Sequence, residues 1–171
     1  PLKNETLQLN GEKLSPARYL KLKEDSIRVF LPPSDILNNE LVIVSDDLVD
    51  TASVRASVSK TPPAITIASQ KSNNTFAPSE SIAFETNSFI TEIDTSLIKA
   101  FNKKDSVYVH DYSYTFIYNA LTIELDKSLY SELEFHFLNG AILTDAGVNG
   151  EQKVNCILNE ERKYGSLDLD L

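Results

Sequence analysis

Apolar and polar positions alternate along most of this chain, and the alternation is clearest in its second half. It runs through Ile82 and Phe84, through Leu121, Ile123 and Leu125, and through Leu133, Phe135 and Phe137, which is the period of half-buried strands. Residues with turn chemistry separate the runs: Asn119-Ala120, Asp126-Lys127-Ser128 and Asn139-Gly140. The same reasoning predicts strands over 65–68, 82–85, 107–109, 112–118, 121–126, 133–138 and 154–158, with a short strand or turn over 97–101. A polar loop is expected over 70–80, with Phe76 tucked beneath it. The phase of alternation changes between Val109 and Tyr112, which predicts a tight turn or a bulge at His110-Asp111.

The first half carries shorter runs of the same kind, over 6–10, 19–22, 26–31, 40–45 and 53–58, joined by Asn10-Gly11, by Lys23-Glu24-Asp25 and by the stretch 32–39. Strands of this length bury an apolar face only against a second sheet. The expected fold class is therefore all-β, with two antiparallel β-sandwich domains. Thr61-Pro62-Pro63 is the predicted linker, because proline fixes φ and pushes its predecessor into extended conformations. The expected division is residues 1–60, a domain open at its N-terminus, then residues 64–158, then a terminal strand over 159–171. In that last segment Leu167, Leu169 and Leu171 alternate with Ser166, Asp168 and Asp170.

Composition narrows the function classes. A net charge of −9 argues against binding to a phosphate backbone, so no nucleic-acid partner is expected. No apolar run approaches the roughly 20 residues of a membrane-spanning helix. The chain begins at Pro1 and contains no Met, so it is expected to be a piece of a longer protein, with any membrane anchor upstream. A single cysteine, Cys156, lies in phase with Val154 and Leu158 and reads as a buried core thiol.

Candidate chemistry is sparse. Two histidines and the absence of His-x-x-x-His, Cys-x-x-Cys and glycine-rich phosphate loops leave no ligand set for a transition metal or a nucleotide, and no cofactor is expected. His136 shares a strand face with Glu132 and Glu134 and reads as a solvated outer-face residue. His110 and Asp111 beside any serine do not define a triad, because triads are set by geometry. Asp46, Asp47 and Asp50 cluster in one loop and form a weak alternative for calcium. Asp145-x-Gly147-x-Asn149-Gly150 imitates the start of a calcium loop, but its twelfth position is Cys156 rather than a bidentate glutamate; Asn149-Gly150 reads instead as a hairpin turn. The aromatic run is the one internal pointer to a binding site. Tyr112, Tyr114, Phe116 and Tyr118 share one face if their strand is regular, close to Tyr108. Such a face either presents a platform for a sugar or a protein partner or lines the inside of a sandwich.

The Ile82-x-Phe84 strand, Ile93-Asp94-Thr95-Ser96-x-Ile98, Lys104-Asp105-Ser106, Leu121-Thr122-Ile123, Gly140-Ala141-x-Leu143-Thr144-Asp145 and the run from Glu161 ending Tyr164-Gly165-x-Leu167 also follow one another in a familiar order. In that order and spacing the chain resembles the SbsA-type bacterial Ig-like domain of Bacteroidetes surface and outer-membrane lipoproteins, over about residues 40–171. Leu41-x-Ile43-x-Ser45-Asp46 and Asp50-Thr51 have counterparts in the region preceding that domain. The resemblance implies Ig-like topology, a periplasmic or cell-surface setting, and a non-enzymatic spacer and protein-interaction role in a cell-envelope assembly. It implies that residues 159–171 lead into a following domain. It also gives meaning to Asp25-Ser26-Ile27, Asp50-Thr51-Ala52 and Asp105-Ser106-Val107, which fit the O-glycosylation pattern of such proteins at Ser26, Thr51 and Ser106. A carbohydrate-binding module using the Tyr112 to Tyr118 face is the alternative.

Overall fold

A computed structural model describes residues 6–23, 26–32, 38–44, 49–55, 63–77 and 79–158. The fold is all-β. The chain divides into two compact units, Pro1–Pro63 and Ala64–Leu171.

In the first unit, β1 (Thr6–Leu9), β2 (Glu12–Lys13), β5 (Asn38–Val44) and β6 (Val49–Arg55) form one antiparallel sheet in the order β2-β1-β5-β6. A separate hairpin pairs β3 (Tyr19–Lys23) with β4 (Ser26–Val29). Asn10-Gly11 makes the first turn as expected, with φ of 52° and 84°. Leu7, Leu9, Leu14, Tyr19 and Leu41 form the core of this unit, with Ile27, Val29 and Leu31 packed against it. Asn39 is buried beside them, and its Oδ1 accepts from Asn10 Nδ2 at 2.8 Å.

The second unit is a sandwich. One sheet runs β13 (Ser113–Ile117), β14 (Ala120–Glu124), β9 (Ile82–Thr86), β7 (Ile67–Ser69). The facing sheet runs β12 (Val107–Val109), β11 (Ile98–Asn102), β15 (Glu132–Phe137), β18 (Gln152–Leu158), β8 (Thr75–Phe76), antiparallel except where β8 joins β18. Every second residue of these strands points inward: Ile82 and Phe84, Leu121 and Ile123, Leu133, Phe135 and Phe137, Val154, Cys156 and Leu158 are all buried. The two layers meet ring to ring, since Phe84 lies 5.2 Å from both Phe135 and Phe137 in edge-on geometry, the arrangement aromatic quadrupoles favour. A smaller sheet, β10 (Ile90–Ile93), β16 (Ile142–Thr144) and β17 (Gly147–Val148), flanks the sandwich.

Several expectations change in detail. The stretch over 97–101 is a full strand, β11, between β12 and β15. At His110-Asp111 the chain leaves one sheet for the other, so the phase change marks a crossing rather than a bulge within a strand. Phe76 is buried as anticipated, but in strand β8, which interrupts the predicted loop; Glu80 fixes the turn after it by accepting from Ala77 N at 2.9 Å and from Lys71 Nζ at 2.6 Å. Asn149-Gly150 is not an exposed hairpin turn. Asn149 is fully buried; its Oδ1 accepts from Ile142 N at 2.7 Å and its Nδ2 donates to Leu138 O and Gly150 O at 2.9 and 2.7 Å. The predicted terminal strand over 159–171 lies outside the described residues.

Candidate functional site

The aromatic run resolves into three different settings. Only Ser113–Ile117 is a strand. Tyr112 precedes it, half-buried at the core margin, where its hydroxyl donates to Ile98 O at 2.9 Å and burial pushes its ionisation up. Tyr118 sits in the β13–β14 turn with φ of 58°. The expected four-residue face is therefore reduced to Tyr114 and Phe116, because the strand ends before either flanking tyrosine can join it.

The register of β13 on β14 fixes where those two rings point. Tyr114 lies opposite Ile123 and Phe116 opposite Leu121, and opposed residues of an antiparallel pair share a face. Both aromatics thus belong to the inner face of the sandwich. They remain 39% and 41% exposed, because among the described residues β13 ends its sheet and has a neighbour on one side only. Ile117, on the opposite face with Ala120, is 63% exposed. The phase of these residues is that of a core face, and the edge position leaves them open to solvent.

Backbone direction follows from one hydrogen bond. Thr86 N donates to Asn119 O at 2.8 Å, which turns Asn119, Leu121 and Ile123 toward β9 and leaves Ala120, Thr122 and Glu124 to bond β13. Their partners are Ile117, Thr115 and Ser113. The amide and carbonyl groups of Tyr114 and Phe116 are left pointing outward from the sheet. At the far edge of the same sheet the outward groups are covered: Gln152 Oε1 accepts from Ile67 N at 2.9 Å and its Nε2 donates to Ile65 O at 2.7 Å.

A second cluster lies on the outer face of the facing sheet. His136 Nε2 is hydrogen-bonded to Glu134 Oε1, Lys153 Nζ stands 3.8 Å from the same oxygen, and the ring of Phe101 is 6.1 Å from His136 and 5.4 Å from Tyr108. The hydrogen bond from His136 holds the Glu134 carboxyl below its ordinary range, with the charges of His136, Lys153 and Lys103 adding to it. His136 is on the predicted face, but its side chain is only 15% exposed. It is half-buried rather than solvated, because Glu134 and Phe101 crowd it.

The remaining candidates are dispersed. Cys156 is buried, and burial pushes its thiol up to about 12, a setting that suppresses the thiolate. Asp46 and Asp47 lie outside the described residues; Asp50 is in β6, where its carboxylate accepts from Thr51 N at 2.8 Å. Among the described residues no group of three or more His, Cys, Asp or Glu side chains is placed to hold a metal. Asp145 accepts from Ser88 Oγ at 2.7 Å. Of the modification candidates, Thr51 and Ser106 are exposed and Ser26 is half-buried at the start of β4. No helix of the described residues is long and apolar enough to cross a membrane. No protein-family model matches the chain, and no curated protein matches it.

What the residue pattern did not disclose is the open backbone at Tyr114 and Phe116. The sequence signal was the run Ser-Tyr-Thr-Phe-Ile without a charge, but only sheet order makes it an edge.

Proposed function

We propose that this chain is a non-enzymatic β-sandwich module of a bacterial cell-surface or outer-membrane lipoprotein, acting as a structural spacer and a protein-interaction domain, with Ig-like topology in its second unit. The observation that carries the interaction role is the exposed, uncharged edge strand β13, with Tyr114 and Phe116 set opposite the buried Ile123 and Leu121. Aromatic side chains on a rigid support lose little freedom when a partner covers them, which is why they dominate binding energy at interfaces. The envelope setting is supported by the resemblance of residues 40–171, and the non-enzymatic reading by the side chains themselves. The cysteine is buried, a setting that suppresses its thiolate, and His136 is engaged by Glu134.

Carbohydrate binding is the second reading, favoured by the placement of Tyr114 and Phe116 two residues apart on one face, a spacing on which a glycan could stack. One experiment separates the two. The chain and its Tyr114→Ala/Phe116→Ala variant are assayed against solubilised envelope proteins and against immobilised glycans. Saturable protein binding that weakens at least about ten-fold in the variant, with glycans ignored, supports the interaction role. Glycan binding lost in the variant supports the second reading. Protein binding unchanged in the variant removes β13 from the function.

A further inference from the structure

The geometry points to a specific occupant for the open edge: a second copy of this chain, paired antiparallel through β13 about a two-fold axis at Thr115. The inference deepens the interaction role proposed above and rests on it, naming the partner of the same strand.

Edge strands invite pairing, and folded proteins blunt them with charge, proline, bulges or brevity. Among the described residues, every other strand at the end of a sheet carries such a device. β2, β7, β8, β12 and β17 have three residues or fewer, while β3, β4, β6 and β10 each carry at least one charged residue. β13 has five residues, Ser-Tyr-Thr-Phe-Ile, with no charge and no proline. Its outward amides and carbonyls at Tyr114 and Phe116 have no hydrogen-bond partner among the described residues.

The sequence of that strand is complementary to itself. Antiparallel pairing centred on Thr115 places Tyr114 opposite Phe116 of the copy, and Ser113 opposite Ile117. The outward backbone groups of Tyr114 and Phe116 then meet each other, giving two reciprocal pairs of N–H to C=O bonds. Thr115 faces its own mate in a non-hydrogen-bonded pair, with Cα atoms about 4.5 Å apart. Aromatic cross-strand neighbours are a stabilising combination in sheets. Charge is also compatible, although the chain carries a net −9. β13 itself carries no charged residue, so the contact sets no like charges opposite each other. A five-residue contact buries less than the roughly 1,200 Å² of a stable interface, so the association is weak for free molecules and strengthens where copies are crowded on a surface.

Cysteine trapping tests the register. Thr115→Cys, Ser113→Cys and Ile117→Cys are each exposed outer-face positions on β13, while the native Cys156 is buried. Under mild oxidation Thr115→Cys should crosslink with itself, the disulfide fitting the short separation of such a pair. Ser113→Cys and Ile117→Cys should crosslink when mixed and remain monomeric alone. Sedimentation of the unaltered chain at about millimolar concentration should show a monomer–dimer equilibrium, and Thr115→Lys, which sets two ammonium groups face to face, should weaken it at least about ten-fold. Equal crosslinking at all three positions, a chain monomeric at that concentration, or a dimer indifferent to Thr115→Lys would overturn the inference. If self-association fails while the unaltered chain still binds an envelope protein through Tyr114 and Phe116, the interaction role stands and only the second copy is removed.

Discussion

Asn149 shows how much one side chain can hold in this sandwich. Its amide satisfies the Ile142 N–H and the carbonyls of Leu138 and Gly150, and its own carbonyl accepts from Gly140 N at 2.9 Å. Alanine keeps the backbone bond to Gly140 but leaves the buried Ile142 N–H and the partly buried Leu138 carbonyl without the amide, and buried polar groups without partners are costly. Asn149→Ala should lose about 2 to 4 kcal/mol in urea denaturation; a loss under about 1 kcal/mol would mean that water replaces the amide there. Phe135 acts through volume instead. With its ring against Phe84 and no exposed surface, Phe135→Ala should lose about 3 to 5 kcal/mol by the same measurement. Glu134 gives a pH signature. Its carboxyl is held below the ordinary range in the folded protein, chiefly by the hydrogen bond from His136. Its stabilising contribution is therefore complete above the unfolded value of about 4.3 and is lost as pH falls through the lower folded value. Glu134→Gln should accordingly destabilise the protein more at neutral pH than at about pH 3, whereas an equal loss at both would remove the linkage.

Among the elements, the connections carry as much information as the strands. Asp94-Thr95-Ser96 and Asp126-Lys127-Ser128 form two like turns. In each, the aspartate Oδ1 accepts from the serine backbone N–H at 3.0 Å and from its hydroxyl at 2.6 Å. The Ser128 hydroxyl and amide lower the Asp126 carboxyl below its usual range. These turns pass the chain from Ile93 into β11 and from β14 into β15, so local Asp-Ser chemistry helps place successive strands in different sheets. β13 is exposed along its whole length. Tyr114→Ala and Phe116→Ala should each cost less than the about 3 to 5 kcal/mol of a fully buried ring while reducing binding, because their rings are already partly in water. A large drop in melting temperature for either would show that the edge is structural.

For the whole molecule, charge is the property that bears on association. Two copies carrying −9 each repel at long range, and salt screens that repulsion with a Debye length falling from about 30 Å at 0.01 M to about 8 Å at 0.15 M. The β13 contact contains no ion pair to weaken. Self-association followed by sedimentation should therefore strengthen as salt rises over that range, and weakening would point to a charged contact elsewhere.

By itself, the sequence determined the class of fold and the inward faces of its central strands. The two-residue period at Ile82–Phe84, Leu121–Ile123 and Leu133–Phe137 is a local property, imposed by the pleat on any strand that buries one side. Turn residues such as Asn10-Gly11 and Asp126-Lys127-Ser128 were legible for the same reason, since their backbone preference needs no distant partner. Tertiary structure alone decided the rest. Whether Tyr114 and Phe116 lie in a core or at its open margin depends on how many strands flank β13, and neither ring encodes that number. Asn149 could be an exposed turn residue or a buried pin, and the choice was made by Ile142 and Leu138 arriving from other parts of the chain. Sheet order is a long-range outcome, and exposure at an edge follows from sheet order.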